Sequence, residues 1–289
     1  MKKLSDHLHL RNSLLYFLQE DVGIEDITSN NLVNFNKPVK ADIIYKSDFM
    51  GILCGTEEIE MLFDICNCNS KFIKSDGMSI SSKEKIMEIN GKAKDILKAE
   101  RIALNLLMRM SGIATLTRKF VDIVNQIDHS ISIASTRKTV PGLRLLDKKA
   151  VVIGGGVSHR IRLDDMVMIK DNHIVVDKSI RKIISSIRGR IGSSKNIECE
   201  VKNEHEALEA IESGANIVML DNFSILDAKK TILKISELGL RDRIKIEISG
   251  GINLENVIDY AKLKPDIISI GYLTHSAPSL DFSLKIRKD

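Results

Sequence analysis

IECEVKNEHEALEAIESGANIVMLDNFSILDAKKTILKISELGLRDRIKIEISGGINLENVIDYAKLKPDIISIG, residues 197–271, decides the fold class. Four short apolar runs, 197–201, 217–220, 244–248 and 267–270, alternate with stretches of helical spacing such as 204–213 and 253–263. Short β-branched runs separated by helices read as a parallel sheet, because parallel strands need a crossover between them. Two further runs, 131–134 and 166–169, extend the series upstream. So many β-then-α units predict a β/α barrel or a variant of one.

Upstream of this series the periods are mixed. Residues 10–18 repeat apolar positions at helical spacing and lead into a polar turn cluster at 21–28. Strand-like runs follow at 39–45, 51–54, 71–73 and 85–89, divided by turn signals such as Ser75-Asp76-Gly77 and Asn90-Gly91. From 93 to 110 a broad apolar stripe predicts a long helix, and the Ser111-Gly112 interruption predicts a second one over 114–126. The boundary is placed there, giving an N-terminal helix-plus-sheet domain over 1–110, completed by 276–289, and a barrel domain over 111–275.

Hydrophobic residues make up 43% of the 289 and charged residues 28%, a balance that can bury a core. No stretch reaches the roughly 18 uninterrupted apolar residues of a membrane-spanning helix, and no apolar signal core follows Met1-Lys2-Lys3. A cytoplasmic protein without membrane contact is expected. The net charge of +4 is too small for wholesale nucleic-acid binding. Residues 135–173 hold eight Lys or Arg and four Asp, so the excess charge is local and suits a small, multiply anionic ligand. Cys54, Cys66, Cys68 and Cys199 form no CxxC and are expected as reduced thiols.

Catalytic residues of β/α barrels gather where strands end, so polar residues just after apolar runs are the candidates. Run 131–134 leads to Arg137-Lys138, run 150–153 through Gly154-Gly155-Gly156 to Ser158-His159-Arg160, and run 166–169 to Lys170. Glu200 and Asp221 close the next two, and Ser249-Gly250-Gly251 and Gly271 follow the last two. Arginine forks match carboxylates and phosphates, glycines let backbone N–H groups approach a phosphate, and two acids at strand ends can hold Mg²⁺. Together they describe a phosphorylated, magnesium-bound substrate beside a carboxylate-bearing one.

Blander readings apply to single residues. The triple glycine can be a plain turn; His7, His9, His129, His205 and His275 read as structural; Lys148-Lys149 and Asp164-Asp165 read as solvated faces. Charges gathered at one mouth are costly without a ligand, and that favours the joint reading.

The chain resembles the quinolinate phosphoribosyltransferase family. The resemblance rests on AERIALN (99–105), SGIAT (111–115), TRKTVPGLR (136–144), His159-Arg160, IKDNH (169–173), LDNF (220–223), SGGI (249–252) and GYLTHS (271–276), spread over nearly the whole chain. It implies a type II phosphoribosyltransferase: an α/β sandwich joined to an open, TIM-like β/α barrel, assembled as a dimer or hexamer. The implied reaction joins quinolinate and phosphoribosyl pyrophosphate, giving nicotinate mononucleotide, pyrophosphate and CO₂ with Mg²⁺, a step of NAD biosynthesis. By matching position, Arg137, Lys138, His159, Arg160 and Lys170 hold the substrates, and Arg101 enters the partner subunit's site. Ser249, Gly250 and Gly271 match the phosphate cup. Glu200 and Asp221 match the acids near ribose and metal, and Lys138 or Lys170 assists decarboxylation. Ser135 and Ser158 stand where the family often has Asp and Asn, which implies tuning of the site. The alternatives are a divergent relative tied to molybdate transport, a non-catalytic sugar-phosphate sensor, and a Schiff-base aldolase.

Overall fold

The computed structural model describes residues 2–287, with side chains of the first helix described from His7 onward. The chain divides into two compact units, Met1–Leu116 with Ala277–Asp289, and Thr117–Ser276. Among the described residues no helix is long and apolar enough to cross a membrane.

In the first unit, strands β1 (Pro38–Tyr45), β2 (Gly51–Ile52), β3 (Asn69–Phe72), β4 (Ser79–Ile80) and β5 (Lys85–Lys92) are joined by the C-terminal β12 (Phe282–Ile286). Its main sheet is antiparallel, in the order β12-β1-β5-β3. Along β1 the buried residues are Ala41, Ile43 and Tyr45, the period-two pattern of a sheet with one face on a core. Helix Thr56–Ile65 adds Ile59, Leu62 and Phe63, all fully buried. Each such side chain contributes roughly 1.5–3 kcal/mol.

The two helices expected around Ser111-Gly112 are one, Ala93–Asn125. Small residues stand there for close approach and not to end the helix. Ser111 Oγ accepts from the Cys54 N–H at 3.0 Å and donates to the Cys54 carbonyl at 3.2 Å. A Cβ on Gly112 would lie 2.2 Å from the Pro278 carbonyl oxygen. A single glycine costs a helix only about 1 kcal/mol, so it need not break one.

The second unit carries β6 (Ser132–Ser135), β7 (Val167–Ile169), β8 (Ile197–Val201), β9 (Ile217–Asp221), β10 (Lys245–Ser249) and β11 (Ile267–Ile270). All pair in parallel, in the order β6-β11-β10-β9-β8-β7, with one further bridge from Ala134 to Val157 beyond β6. Helices fill the crossovers, giving the expected open β/α architecture. One face of the sheet carries Val218, Leu220, Ile246, Ile248, Ile268 and Ile270, all buried. The opposite, inward face carries Glu198, Met219, Glu247 and Ser269.

Residues 150–153, taken in sequence as a strand-like run, are the last turn of helix Arg144–Ile153. Leu146, Ala150 and Val151 share its buried side at helical spacing, and Val157 makes the strand-like pairing instead. The four cysteines are free and buried.

Candidate active site

Parallel register aligns Ser249 with Asp221 and with Ser269, at the carboxyl ends of three strands. Further down, Glu247 lies beside Met219 and Ile267, and Glu198 beside Met168 and Ile217. Both glutamates are fully buried, and a buried carboxylate is costly without a counter-charge. One imidazole supplies it. His159 Nε2 lies 3.0 Å from Glu247 Oε2 and 3.3 Å from Glu198 Oε2.

Burial alone would lower the His159 pKa. Hydrogen bonds to Glu198 and Glu247, together with their charge, outweigh it and push the value up to about 10. Burial in turn raises Glu198. The three ligand atoms lie within 4.8 Å of one another, a spacing a metal ion could span. The same closeness lets His159 serve as the shared counter-charge of the two buried acids.

β7 releases Lys170 at its end. Lys170 Nζ sits 2.6 Å from Glu200 Oε2, while the Lys170 N–H donates to His173 Nδ1 at 2.8 Å, giving His173 a capping role. Arg160 is 7% exposed, and its Nη2 lies 3.5 Å from Sδ of Met168, two residues before Lys170. Burial, followed by repulsion from Arg137, lowers the Arg160 pKa. The Nε of Arg137 and that of Arg160 are both buried with no acceptor among the described residues. Such N–H groups are rarely left unmet unless a ligand or water meets them.

The glycine end is closely built. Thr274 donates to the Lys138 carbonyl at 2.8 Å, and a Cβ on Gly271 would lie 3.0 Å from Lys138 Cδ and 3.2 Å from the His275 ring. Gly250 has φ +93°, and a Cβ there would meet Asn222 Oδ1 at 2.3 Å. Asn222 donates its N–H to the Ser249 carbonyl at 2.8 Å and its side-chain amide to Asp221 Oδ2 at 2.7 Å.

The second unit thus contains Arg137, Lys138, His159, Arg160, Lys170, Glu200, Asp221, Ser249, Gly250 and Gly271, at or just beyond strand ends. Arg101 belongs to the first unit, exposed on helix Ala93–Asn125. The solvated reading holds for Asp164 and Asp165 but not for Lys148, which is 2% exposed, because helix Arg144–Ile153 turns it inward. Sequence reasoning also passed over Glu198 and Glu247. Acids alternating with apolar residues in 197–201 and 246–248 were the available signal for both.

The quinolinate phosphoribosyl transferase N-terminal domain model matches residues 26–111, and the C-terminal domain model matches 113–285. The chain belongs to the quinolinate phosphoribosyl transferase family. It is 42% identical over 270 residues to a probable nicotinate-nucleotide pyrophosphorylase (carboxylating) of Methanothermobacter thermautotrophicus, covering 93% of this chain and 96% of that one. It is 40% identical to the Bacillus subtilis protein of the same description, covering 97% and 94%. Its fold matches the solved nicotinate-nucleotide pyrophosphorylase from Francisella tularensis with a TM-score of 0.88 at 33% identity, covering 96% of each. For this family member, the two domain models taken together reach both compact units, as does the match to the Methanothermobacter protein.

Proposed function

We propose that this chain transfers the phosphoribosyl group of phosphoribosyl pyrophosphate to quinolinate with decarboxylation, giving nicotinate mononucleotide, pyrophosphate and CO₂ for NAD synthesis. The observation that carries the reading is the pair of buried guanidinium Nε groups, on Arg137 and Arg160, that no protein acceptor meets. Together they form a seat for two carboxylates on one ring.

Arg137 and Arg160 hold the acceptor so that its pyridine nitrogen faces ribose C1, and His159, fixed between Glu198 and Glu247, adds positive charge beside them. Ser249, Gly250 and Gly271 receive phosphate through backbone N–H groups, with Lys138 beside them. The nitrogen lone pair forms the new bond to C1 while the bond from C1 to pyrophosphate breaks, its electron pair leaving with pyrophosphate. Glu200 and Asp221 stabilise the ribose cation that develops. The bond from C2 to its carboxyl group then breaks, CO₂ leaves, and the electron pair stays on C2 beside the pyridinium nitrogen. Lys138 or Lys170 delivers the proton that quenches it.

Glu200 and Asp221 also fit a divalent cation. Lys170 takes Glu200 Oε2 and Asn222 takes Asp221 Oδ2, which leaves Oε1 and Oδ1 open as hard oxygen donors. Mg²⁺ there supplies charge for the departing pyrophosphate when bound. Arg101 reaches the site of a second copy, so the working form is a dimer or a higher assembly.

Incubation with quinolinate, phosphoribosyl pyrophosphate and Mg²⁺ should release pyrophosphate and nicotinate mononucleotide together. Binding of both compounds without pyrophosphate release would overturn the reading in favour of a sugar-phosphate sensor.

A further inference from the structure

Two segments supply the acceptor-side cations, 136–138 after β6 and 158–160 after the Val157 bridge. They are joined from behind the sheet. Ser135 lies beside Ile270 on the face of β6 away from the inward row, and its hydroxyl donates to the Ser158 carbonyl at 3.0 Å. Helix Arg144–Ile153 carries Lys148 to this pair, where Nζ donates to Ser135 Oγ at 3.2 Å and to the Ser158 carbonyl. One turn earlier, Arg144 Nε donates to Thr139 Oγ1 at 3.1 Å and its Nη1 to the Ile161 carbonyl at 3.4 Å. Arg144 and Lys148, four residues apart on one helix face, therefore tie the two segments together at their ends, Lys148 through Ser135 and Ser158 and Arg144 through Thr139 and Ile161.

Lys148 is 2% exposed, and among the described residues no carboxylate is hydrogen-bonded to it. The charged groups facing it are Arg144 from its own helix, Arg137 from the segment after β6, and Arg160 and Asp165 from the segment after Val157. Burial first, and then the three arginines, bring its pKa down to about 8. Burying an ammonium on such terms is costly, and what it holds together accounts for its place.

We propose that Lys148 is a positioning residue, fixing the Arg137 segment against the His159-Arg160 segment so that their cations converge on the two carboxylates of the acceptor. It touches no substrate. The proposal rests on the functional reading above and concerns the acceptor side only, since the phosphate cup on β10 and β11 has no contact with Lys148 among its hydrogen bonds.

The test compares wild type, Lys148→Met and Ser135→Asp in quinolinate binding without phosphoribosyl pyrophosphate, and in steady-state kinetics. Lys148→Met should raise the Kd and KM for quinolinate about 10- to 100-fold, as a misplaced clamp does, with KM for phosphoribosyl pyrophosphate within about threefold. Wild-type affinity for quinolinate should fall as pH rises through about 8, when the ammonium loses its proton. A carboxylate at 135 favours the charged lysine, so in Ser135→Asp the fall should move up by about one pH unit or more. An unchanged quinolinate Kd in Lys148→Met, or a fall at the wild-type pH in Ser135→Asp, overturns the proposal. If Lys148→Met does not fold, Ser135→Asp decides alone.

Loss of the functional reading shows differently, as a wild-type protein that releases no pyrophosphate from quinolinate and phosphoribosyl pyrophosphate. Substrate-free unfolding then still reports on the lysine. Between about pH 8 and 10.5 the unfolded chain holds a proton that native Lys148 has lost, so wild-type stability should rise with pH relative to Lys148→Met. No relative rise would overturn the buried, unpaired ammonium on which the proposal stands.

Discussion

Glu198 and Glu247 lie fully buried with one cationic imidazole between them, whereas Arg137 and Arg160 repel each other and each keep a buried Nε with no acceptor. The acids share one counter-charge within the unit; the two arginines stand side by side with Nε groups that no acceptor among the described residues takes. A charge paired inside the fold steadies the framework, and a buried guanidinium N–H without a protein acceptor calls for a water or a ligand to meet it. Lys170 stands between these cases, paired with Glu200 at 2.6 Å yet 44% exposed at its side chain.

The largest effects should come from the ligand-facing cations. Lys138→Ala and Lys170→Ala should each lower kcat or kcat/KM by about 10²–10³, with thermal unfolding little changed, because a preorganised charge is lost. Near-normal turnover in both variants would remove these lysines from the chemistry.

Breaking the framework should act through pH. His159 has its folded pKa raised from 6.5 to about 10, so the stability it contributes is fully present below about pH 6.5 and is lost as pH rises toward 10. In Glu247→Gln one acid is gone, the His159 pKa falls, and the stability that His159 contributes should be lost at lower pH than in wild type. A ring titration of His159 by NMR, run beside denaturation curves at several pH values, checks both.

Gly250→Ala should be intermediate. Its φ of +93° and the 2.3 Å approach to Asn222 Oδ1 leave no room for a Cβ, so a loss of about 1–3 kcal/mol is expected. A rise in KM for phosphoribosyl pyrophosphate should exceed any change for quinolinate. The smallest effect belongs to Arg181→Ala. Its ion pair with Glu212 spans 3.2 Å between side chains about 60% exposed, and chemical denaturation should register less than about 1 kcal/mol.

The sequence carried the parallel strands because each of 197–201, 217–220, 244–248 and 267–270 is a short apolar run with a helix after it. Reading the polar residue after each run then gave Lys170, Glu200, Asp221, Ser249 and Gly271. What stayed hidden depends on contacts from distant chain. Gly112 looks like a helix stop until Pro278 is seen against it. Glu198 and Glu247 look like ordinary alternating strand acids until His159, far away in sequence, is seen between them. Lys148 reads as surface because charge, not helix rotation, dominates the string Asp147-Lys148-Lys149.

The central claim is that the unmet guanidinium donors of Arg137 and Arg160 form a seat for two carboxylates. Calorimetric titration of wild type and Arg160→Ala with quinolinate and with nicotinate tests it most directly. Wild type should bind the dicarboxylate at least about tenfold more tightly than the monocarboxylate, and Arg160→Ala should lose most of that preference. A preference of wild-type size in Arg160→Ala would contradict the account.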